Sequence, residues 1–206
     1  MIVEQYGLKY TRIAESDLEL VRYWRNQDYI RNVMQYKEYI TPQMQKTWFK
    51  KIDNKSNYYF IIHHNGNKIG LINCKETGSN LHIAEGGIFI WEKKYWGTNI
   101  PAFASLSMLQ AVFEIFKSGT SSMATVAIEN EKALSFNKML GYEIVGATED
   151  GSCYKLLLTI ERYFLKTKKI LKAANLLSDN NSEFKLYAEV NEKQTDEINN
   201  YIKSLL

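Results

Sequence analysis

The residues most able to do chemistry lie in Ile88-Phe89-Ile90-Trp91-Glu92-Lys93-Lys94-Tyr95-Trp96-Gly97-Thr98-Asn99, where a strand runs through a turn into a long helix. The first amides of a helix lack internal partners and carry the positive end of its dipole, so such a turn can hold a phosphate. Gly97 lets the main chain approach an anion closely. Lys94 and the Thr98 hydroxyl add donors. Further along, Asn130 ends a strand and opens a helix whose inner side carries Ala133, Phe136 and Leu140, with Asn137 about two turns in. Both asparagines offer amide donors and acceptors toward the strand end. A plain helix cap is an equally good reading of Asn130.

A second group of residues is cationic and aromatic. Val21-Arg22-Tyr23-Trp24-Arg25-Asn26 ends the first helix, Arg31 follows, and Thr47-Trp48-Phe49 lies on a later helix. Arg25 and Arg31 can grip a phosphate with paired N–H groups, while Trp48, Tyr36 and Tyr58 can stack on a sugar or a base. The competing reading puts Trp24 and Trp48 in the core and Arg25 in a surface ion pair.

These side chains need a scaffold. Leu8 to Ile13 alternates as a strand, and Ser16-Asp17 is expected to cap a helix with Leu18, Val21 and Trp24 inward. A short helix is expected near Asp28 to Met34. Thr41-Pro42 opens another, with Met44, Thr47, Trp48 and Lys51 on one side. Tyr58 to His63 and Lys68 to Cys74 form a hairpin around His64-Asn65-Gly66-Asn67. Thr77-Gly78-Ser79-Asn80 turns the chain into a strand from Leu81 to Ile90. An amphipathic helix is predicted from Thr98 to Phe116, buried along Ala102, Leu106, Leu109, Val112, Phe113 and Phe116. Then come a strand at Met123 to Ile128, a helix at Glu131 to Leu140 stopped by Gly141, and a hairpin of Tyr142 to Ala147 with Tyr154 to Thr159. Beyond Ile160 lie a basic helical run (Arg162, Lys166, Lys168, Lys169, Lys172), a short strand at Phe184 to Val190 and a helix at Thr195 to Leu205.

In this order, the two chemical stretches resemble the GNAT superfamily of acetyl-CoA-dependent N-acetyltransferases. That family's pyrophosphate loop reads Gln/Arg-x-x-Gly-x-Gly/Ala, and here the residues are Lys94-Tyr95-Trp96-Gly97-Thr98-Asn99. The later motif, Asn-x-x-Ala followed by a Lys-x-Leu-Gly-Tyr ending, runs from Asn130 to Tyr142. The resemblance covers about residues 8–160. It implies an α/β (α+β) GNAT fold: a mixed, largely antiparallel twisted sheet with a splayed central strand pair and helices on both faces. Acetyl-CoA is the implied co-substrate. Its pantetheine arm would enter between the strand ending near Phe89-Ile90 and the one beginning near Met123. Lys94, Tyr95, Trp96, Gly97, Thr98, Asn99, Asn130 and Asn137 would complete its site. The resemblance also implies a main-chain N–H near Phe89 polarising the thioester carbonyl, with Gly86-Gly87 permitting a bulge where the strands part.

Many relatives carry a tyrosine that protonates the departing thiolate; Asn137 stands there in this chain. A thiol of pKa ~8.5 can leave unprotonated. For the base, Glu85 is the first candidate, because it sits four residues before Phe89 and shares its side of the strand. His82 and Glu76 follow it. A cross-strand ion pair is the competing role for Glu85. The Trp-Arg-Asn run and the later Trp-Phe pair look like the subgroup holding nucleotide-amino-sugar and ribosomal-protein N-terminal acetyltransferases. An amino sugar, nucleotide-linked, is the expected acceptor. A protein N terminus, or a GNAT-like module that binds acetyl-CoA without turnover, are the alternatives.

Composition sets outer bounds. At 206 residues, 45% hydrophobic and 24% charged, the chain can bury a core without staples. The expected division is a GNAT domain over 1–160 and an extension over 161–206. With 26 basic and 23 acidic side chains the net charge is +3, too small to imply nucleic acid. No metal site is expected, since Cys74 and Cys153 fit no zinc spacing and read as buried thiols of a reducing compartment. The first residues lack a basic region followed by an apolar core, and no stretch approaches the ~18–20 apolar residues of a membrane span. A cytoplasmic protein is therefore expected, with a small-molecule amine as partner and a homodimer contact or a sheet-edge strand as the role of the extension. The basic run leaves open binding to a nucleic acid or a membrane surface, against a merely solvated helix face.

Overall fold

The computed structural model describes residues 1–54, 56–76, 83–117, 119–178 and 181–187. It opens on a hairpin of β1 (Ile2–Gln5), which was not expected from the sequence, and β2 (Leu8–Arg12), the strand expected at Leu8 to Ile13. Tyr6 and Gly7 join them with φ of 54° and 73°, the two-residue left-handed turn that matches strand twist. Next comes α1 (Leu18–Arg25). Asp17 does not cap it: the buried carboxylate accepts from the Ala14 N–H at 2.9 Å and from Lys68 Nζ at 2.6 Å. Then follow α2 (Asp28–Arg31) and α3 (Pro42–Ile52), the latter capped by Thr41, which accepts from the Met44 N–H. Its inward residues are Gln45, Trp48, Phe49 and Ile52, whereas Met44 and Lys51 are exposed. The helix is rolled from the expected side because Ile52, Phe49 and Trp48 join the apolar cluster on the sheet.

The central hairpin is β3 (Asn57–His64) and β4 (Asn67–Glu76), turned at Asn65-Gly66, and it is followed by β5 (Ile83–Ile90). The expected turn at Thr77–Asn80, with Leu81 and His82, lies outside the described residues. Next are α4 (Ile100–Gln110), a π-helical turn at Ala111–Ile115, β6 (Ser121–Ala127) and α5 (Glu131–Leu140). Gly141 ends α5 at φ 105°, a left-handed stop that costs glycine little. The described chain finishes with β7 (Glu143–Ala147), β8 (Cys153–Thr159), α6 (Ile160–Arg162), a second π turn at Tyr163–Thr167, α7 (Lys168–Leu177) and β9 (Lys185–Tyr187). The helix expected at Thr195–Leu205 lies outside the described residues.

Among the described residues, nine strands form one sheet in the order β7-β8-β6-β5-β4-β3-β2-β1-β9. Every pairing is antiparallel except β5 with β6. This is the mixed, mostly antiparallel α/β architecture of the GNAT fold. Period-two alternation splits the apolar residues between two faces. One face, with Phe60, Ile62, Ile72 and Ile90, packs against α4, α5 and the segment after β8. The other, with Ile61, Leu71 and Phe89, packs against α1, α2 and α3. The strand β9 pairs with the outer edge of β1, covering N–H and C=O groups that an open edge leaves bare.

The helix α4 is buried on more than one side, with Ser105 and Ser107 inside along with Phe103, Ala104, Leu106 and Leu109. An amphipathic stripe was expected; the tail removes the need for a polar side. Tyr163 packs on Phe113 at 4.9 Å between ring centroids, and Gln5 on β1 bonds both Gln110 and the Ser182 carbonyl.

Candidate active site

The pairing of β5 with β6 is the central feature. It holds for Ile83 with Ser121, Ala84 with Ser122 and Glu85 with Met123, then ends. Beyond it, β5 runs on to Ile90 and β6 to Ala127, each still paired to its outer neighbour. The two strands therefore part beyond Glu85 and Met123, leaving a gap between them. The ladder from β5 to β4 shows no register shift, so the expected bulge at Gly86-Gly87 is absent. Gly87 instead fits against Asn73: a Cβ there would meet Asn73 Oδ1 at 2.9 Å.

Register also decides which amides face the gap. Trp91 donates its N–H to Ile69 on β4, and successive residues of a strand direct their N–H groups to alternate sides. Phe89 therefore faces β4, and its amide belongs to the ladder. The N–H groups on the β6 side are those of Ile88 and Ile90, and the Ile90 carbonyl on that side accepts from Trp96 Nε1 at 2.8 Å. An N–H near Phe89 that faces the gap therefore belongs to Ile88 or Ile90.

The chain leaves β5 through a 3-10 turn at Lys93–Tyr95. Gly97 lies at φ 78°, with nothing within 4 Å of the place its Cβ would take. The Thr98 hydroxyl donates to the Tyr95 carbonyl at 2.7 Å and accepts from the Ile100 N–H at 3.3 Å. Pro101 brings no N–H to the first turn of α4. Among the described hydrogen bonds, the amides of Gly97, Asn99 and Ala102 donate none, which suits an anion at this end of the gap. Lys94 is exposed, 3.7 Å from Glu92. Tyr95 bonds His64 Nδ1 at 3.1 Å. Trp96 lies 5.8 Å from the ring of Tyr29 on α2, Lys93 Nζ sits 4.1 Å over that ring, and the Tyr29 hydroxyl donates to the Trp91 carbonyl.

On the face covered by α1 to α3, Phe89, Gly87 and Glu85 of β5 stand opposite Leu71, Asn73 and Lys75 of β4, and the glycine leaves room for Asn73. Glu85 pairs with Lys75 Nζ at 2.9 Å, both partly exposed. In the next row Trp48 meets Tyr59 edge-on at 5.2 Å, and burial raises the Tyr59 pKa. Arg25 lies over the Phe89 ring at 5.7 Å. Its Nη2 reaches the Tyr36 carbonyl at 3.4 Å, its buried Nη1 has no partner, and burial lowers its pKa.

The profile of the family described as Acetyltransferase (GNAT) domain matches residues 8–143. The chain belongs to that family. It is therefore an acetyltransferase whose co-substrate is acetyl-CoA, and the open strand pair with free turn amides suits such a thioester and its pyrophosphate. No curated protein matches the sequence significantly. Among solved structures, a domain from Methanocaldococcus jannaschii DSM 2661 is 20% identical with a TM-score of 0.66, over 74% of this chain and 98% of that one. The spermidine/spermine N-acetyltransferase SpeG from Vibrio cholerae is 19% identical with a TM-score of 0.64, over 78% and 98%. The aminoglycoside acetyltransferase AAC(6')-Ib, solved with coenzyme A, is 16% identical with a TM-score of 0.65, over 77% and 98%. At these identities the likeness is one of fold.

Within this GNAT fold the expected site residues are dispersed unevenly. Ile90 and Lys94 to Asn99 lie along one stretch at the wide end of the gap. Asn130 stands at the N-cap of α5 and Asn137 lies on that helix, which follows β6 on the other side. Asn130 Oδ1 caps that helix through the Ala133 N–H at 3.1 Å, and Asn137 donates back to the Ala133 carbonyl at 2.8 Å. Trp24 stacks on fully buried Trp91 at 6.1 Å, so its ring is used in packing. Arg31 forms an exposed pair with Asp28. Tyr58 stands on the opposite sheet face, stacked on Phe116, and the aromatic beside Trp48 is its neighbour Tyr59. Lys75, Tyr59 and the Ile88 amide were not picked out from sequence. Lys75 was recoverable only from the β4–β5 register, which sets it opposite Glu85.

Proposed function

We propose that this GNAT protein acetylates the primary amine of an amino sugar carried on a nucleotide, by direct attack of the amine on the acetyl thioester. Arg25 carries the choice of acceptor. Its guanidinium is partly buried, has no carboxylate partner among the described residues, and keeps one buried nitrogen unsatisfied beside the face that holds Glu85. A cation held this way is short of an anion, and a phosphate of the acceptor supplies one with matching geometry. Polycations such as spermidine or an aminoglycoside would add charge of the wrong sign.

Acetyl-CoA supplies the acyl group; the protein supplies position and proton transfer. The N–H groups of Ile88 and Ile90 stabilise negative charge on the carbonyl oxygen, as fixed donors do. Glu85, steadied by Lys75, takes the proton of the acceptor ammonium directly or through water. Asn137 has no acidic proton to give, so the thiol leaves as thiolate, tolerable at a pKa of ~8.5. The test is acetyl transfer assayed against nucleotide-linked amino sugars, free sugars, peptides and spermidine. Turnover on the nucleotide-linked sugars is expected, and Arg25→Gln should raise their KM ~10- to 100-fold, the loss of a charged hydrogen bond. The KM for acetyl-CoA should stay unchanged. Turnover on peptides or polyamines alone overturns the assignment.

A further inference from the structure

The basic stretch after β8 is not used by the transfer reaction. Residues 162–178 hold five cations, Arg162, Lys166, Lys168, Lys169 and Lys172, and no Asp or Glu. They run from the end of α6 through the π turn and α7, with Tyr163, Thr167, Ala174 and Ser178 buried on the inner side. On the outer side Leu165, Lys169, Lys172 and Leu176 follow at helical spacing, with Leu165 70% and Leu176 83% exposed. Phe164 and Leu177 flank them, 50% and 59% exposed. Arg162 is held by Glu143, but Lys166, Lys169 and Lys172 have no ion-pair partner among the described residues.

Large exposed apolar side chains set among unpaired cations mark a contact surface. The cations call for an anionic partner, and the leucines and phenylalanine decide which kind. Nucleic acid would engage the lysines through phosphates and leave the leucines in water. A protein would need a groove shaped to this convex helix. A lipid interface needs no such fit: apolar side chains enter the acyl boundary while lysines stay among anionic head groups. We propose that α7 and the turn before it dock this enzyme on an anionic membrane surface, the helix lying in the plane of the interface. Among the described residues, no helix is long and apolar enough to cross a membrane, so the attachment is peripheral.

Flotation of the full-length protein with vesicles tests this. Phosphatidylcholine vesicles containing phosphatidylglycerol should carry the protein at low salt and release it at high salt; pure phosphatidylcholine should carry little. The triple variant K166E/K169E/K172E should bind at least ~100-fold more weakly, at about fivefold per lysine lost. The variant L165S/L176S should weaken binding at least ~10-fold while keeping salt sensitivity. All five positions are exposed, so both variants should match the parent in melting temperature and in acetyl transfer to a soluble acceptor. Unaltered flotation of either variant, or retention by RNA but not by anionic vesicles, overturns the proposal.

Discussion

Gly70→Ala probes whether the main chain of β5 is tuned by its neighbour. Gly70 lies opposite Ile90, and a Cβ there would stand 2.7 Å from the Phe89 carbonyl oxygen and 3.2 Å from the Ile90 Cα. Ordinary contact begins near 3.4 Å, so the strands must part by roughly 0.7 Å, the difference between 3.4 and 2.7. The obstacle is backbone, which cannot rotate aside, so the movement falls on the stretch that carries the Ile88 and Ile90 amides. Overpacking of this kind costs ~1–3 kcal/mol, which in a chain of this length lowers the melting temperature ~2–12 °C. Misplacing catalytic donors by close to 1 Å costs up to ~100-fold in rate. The expected result is a kcat ~10- to 100-fold below the parent, measured by thiol release well under both melting temperatures, with the KM for acetyl-CoA little changed. Ile62→Val, at a fully buried site on β3 (0% exposed), is the control for stability alone; it costs ~0.5–1.5 kcal/mol and should leave kcat within about twofold. A G70A protein that is destabilised yet turns over at the parent rate would refute the link between this strand pairing and catalysis.

Glu85→Gln should lower kcat ~10²- to 10⁴-fold with little change in the KM for acetyl-CoA, as steady-state kinetics would show; parent activity would remove Glu85 from proton transfer. Tyr142→Phe strands the buried Ser122 hydroxyl that the phenol meets at 2.7 Å, so denaturant melts should show a loss of ~1–3 kcal/mol, partly regained in S122A/Y142F. Burial raises the pKa of Tyr6, Tyr10, Tyr142 and Tyr163 above the ordinary value of 10.0. The folded state then holds these protons more tightly than the unfolded state does, so their contribution is complete below pH 10 and is lost as pH rises beyond it. Melting temperatures followed across that range should fall, and a flat profile would contradict the buried placement.

Much of the scaffold was legible because local chemistry agreed with it. Thr41-Pro42, Asn65-Gly66, Asn130 and Gly141 each mark the boundary where the chain turns or caps. The first hairpin was missed although Tyr6-Gly7 is a two-residue turn, since Tyr is a poor advertisement for a left-handed φ. The inward side of α3 and the all-round burial of α4 depend on what packs there, which is tertiary information. The same holds at the site. The turn after β5 announced itself through Gly97 and the helix that follows. The direction of the Phe89 amide, the face of Tyr58 and the partner of Glu85 follow from strand register, and a shift of one residue reverses all three.

Tyr29 lies under Lys93, beside Trp96, and holds the Trp91 carbonyl, while its helix follows directly on the one carrying Arg25. One phenol thus ties the segment leaving β5 to the helical layer over the sheet: Trp91, Lys93 and Trp96 are all moored to a single ring, so the chain's exit from the strand is fixed from three directions at once.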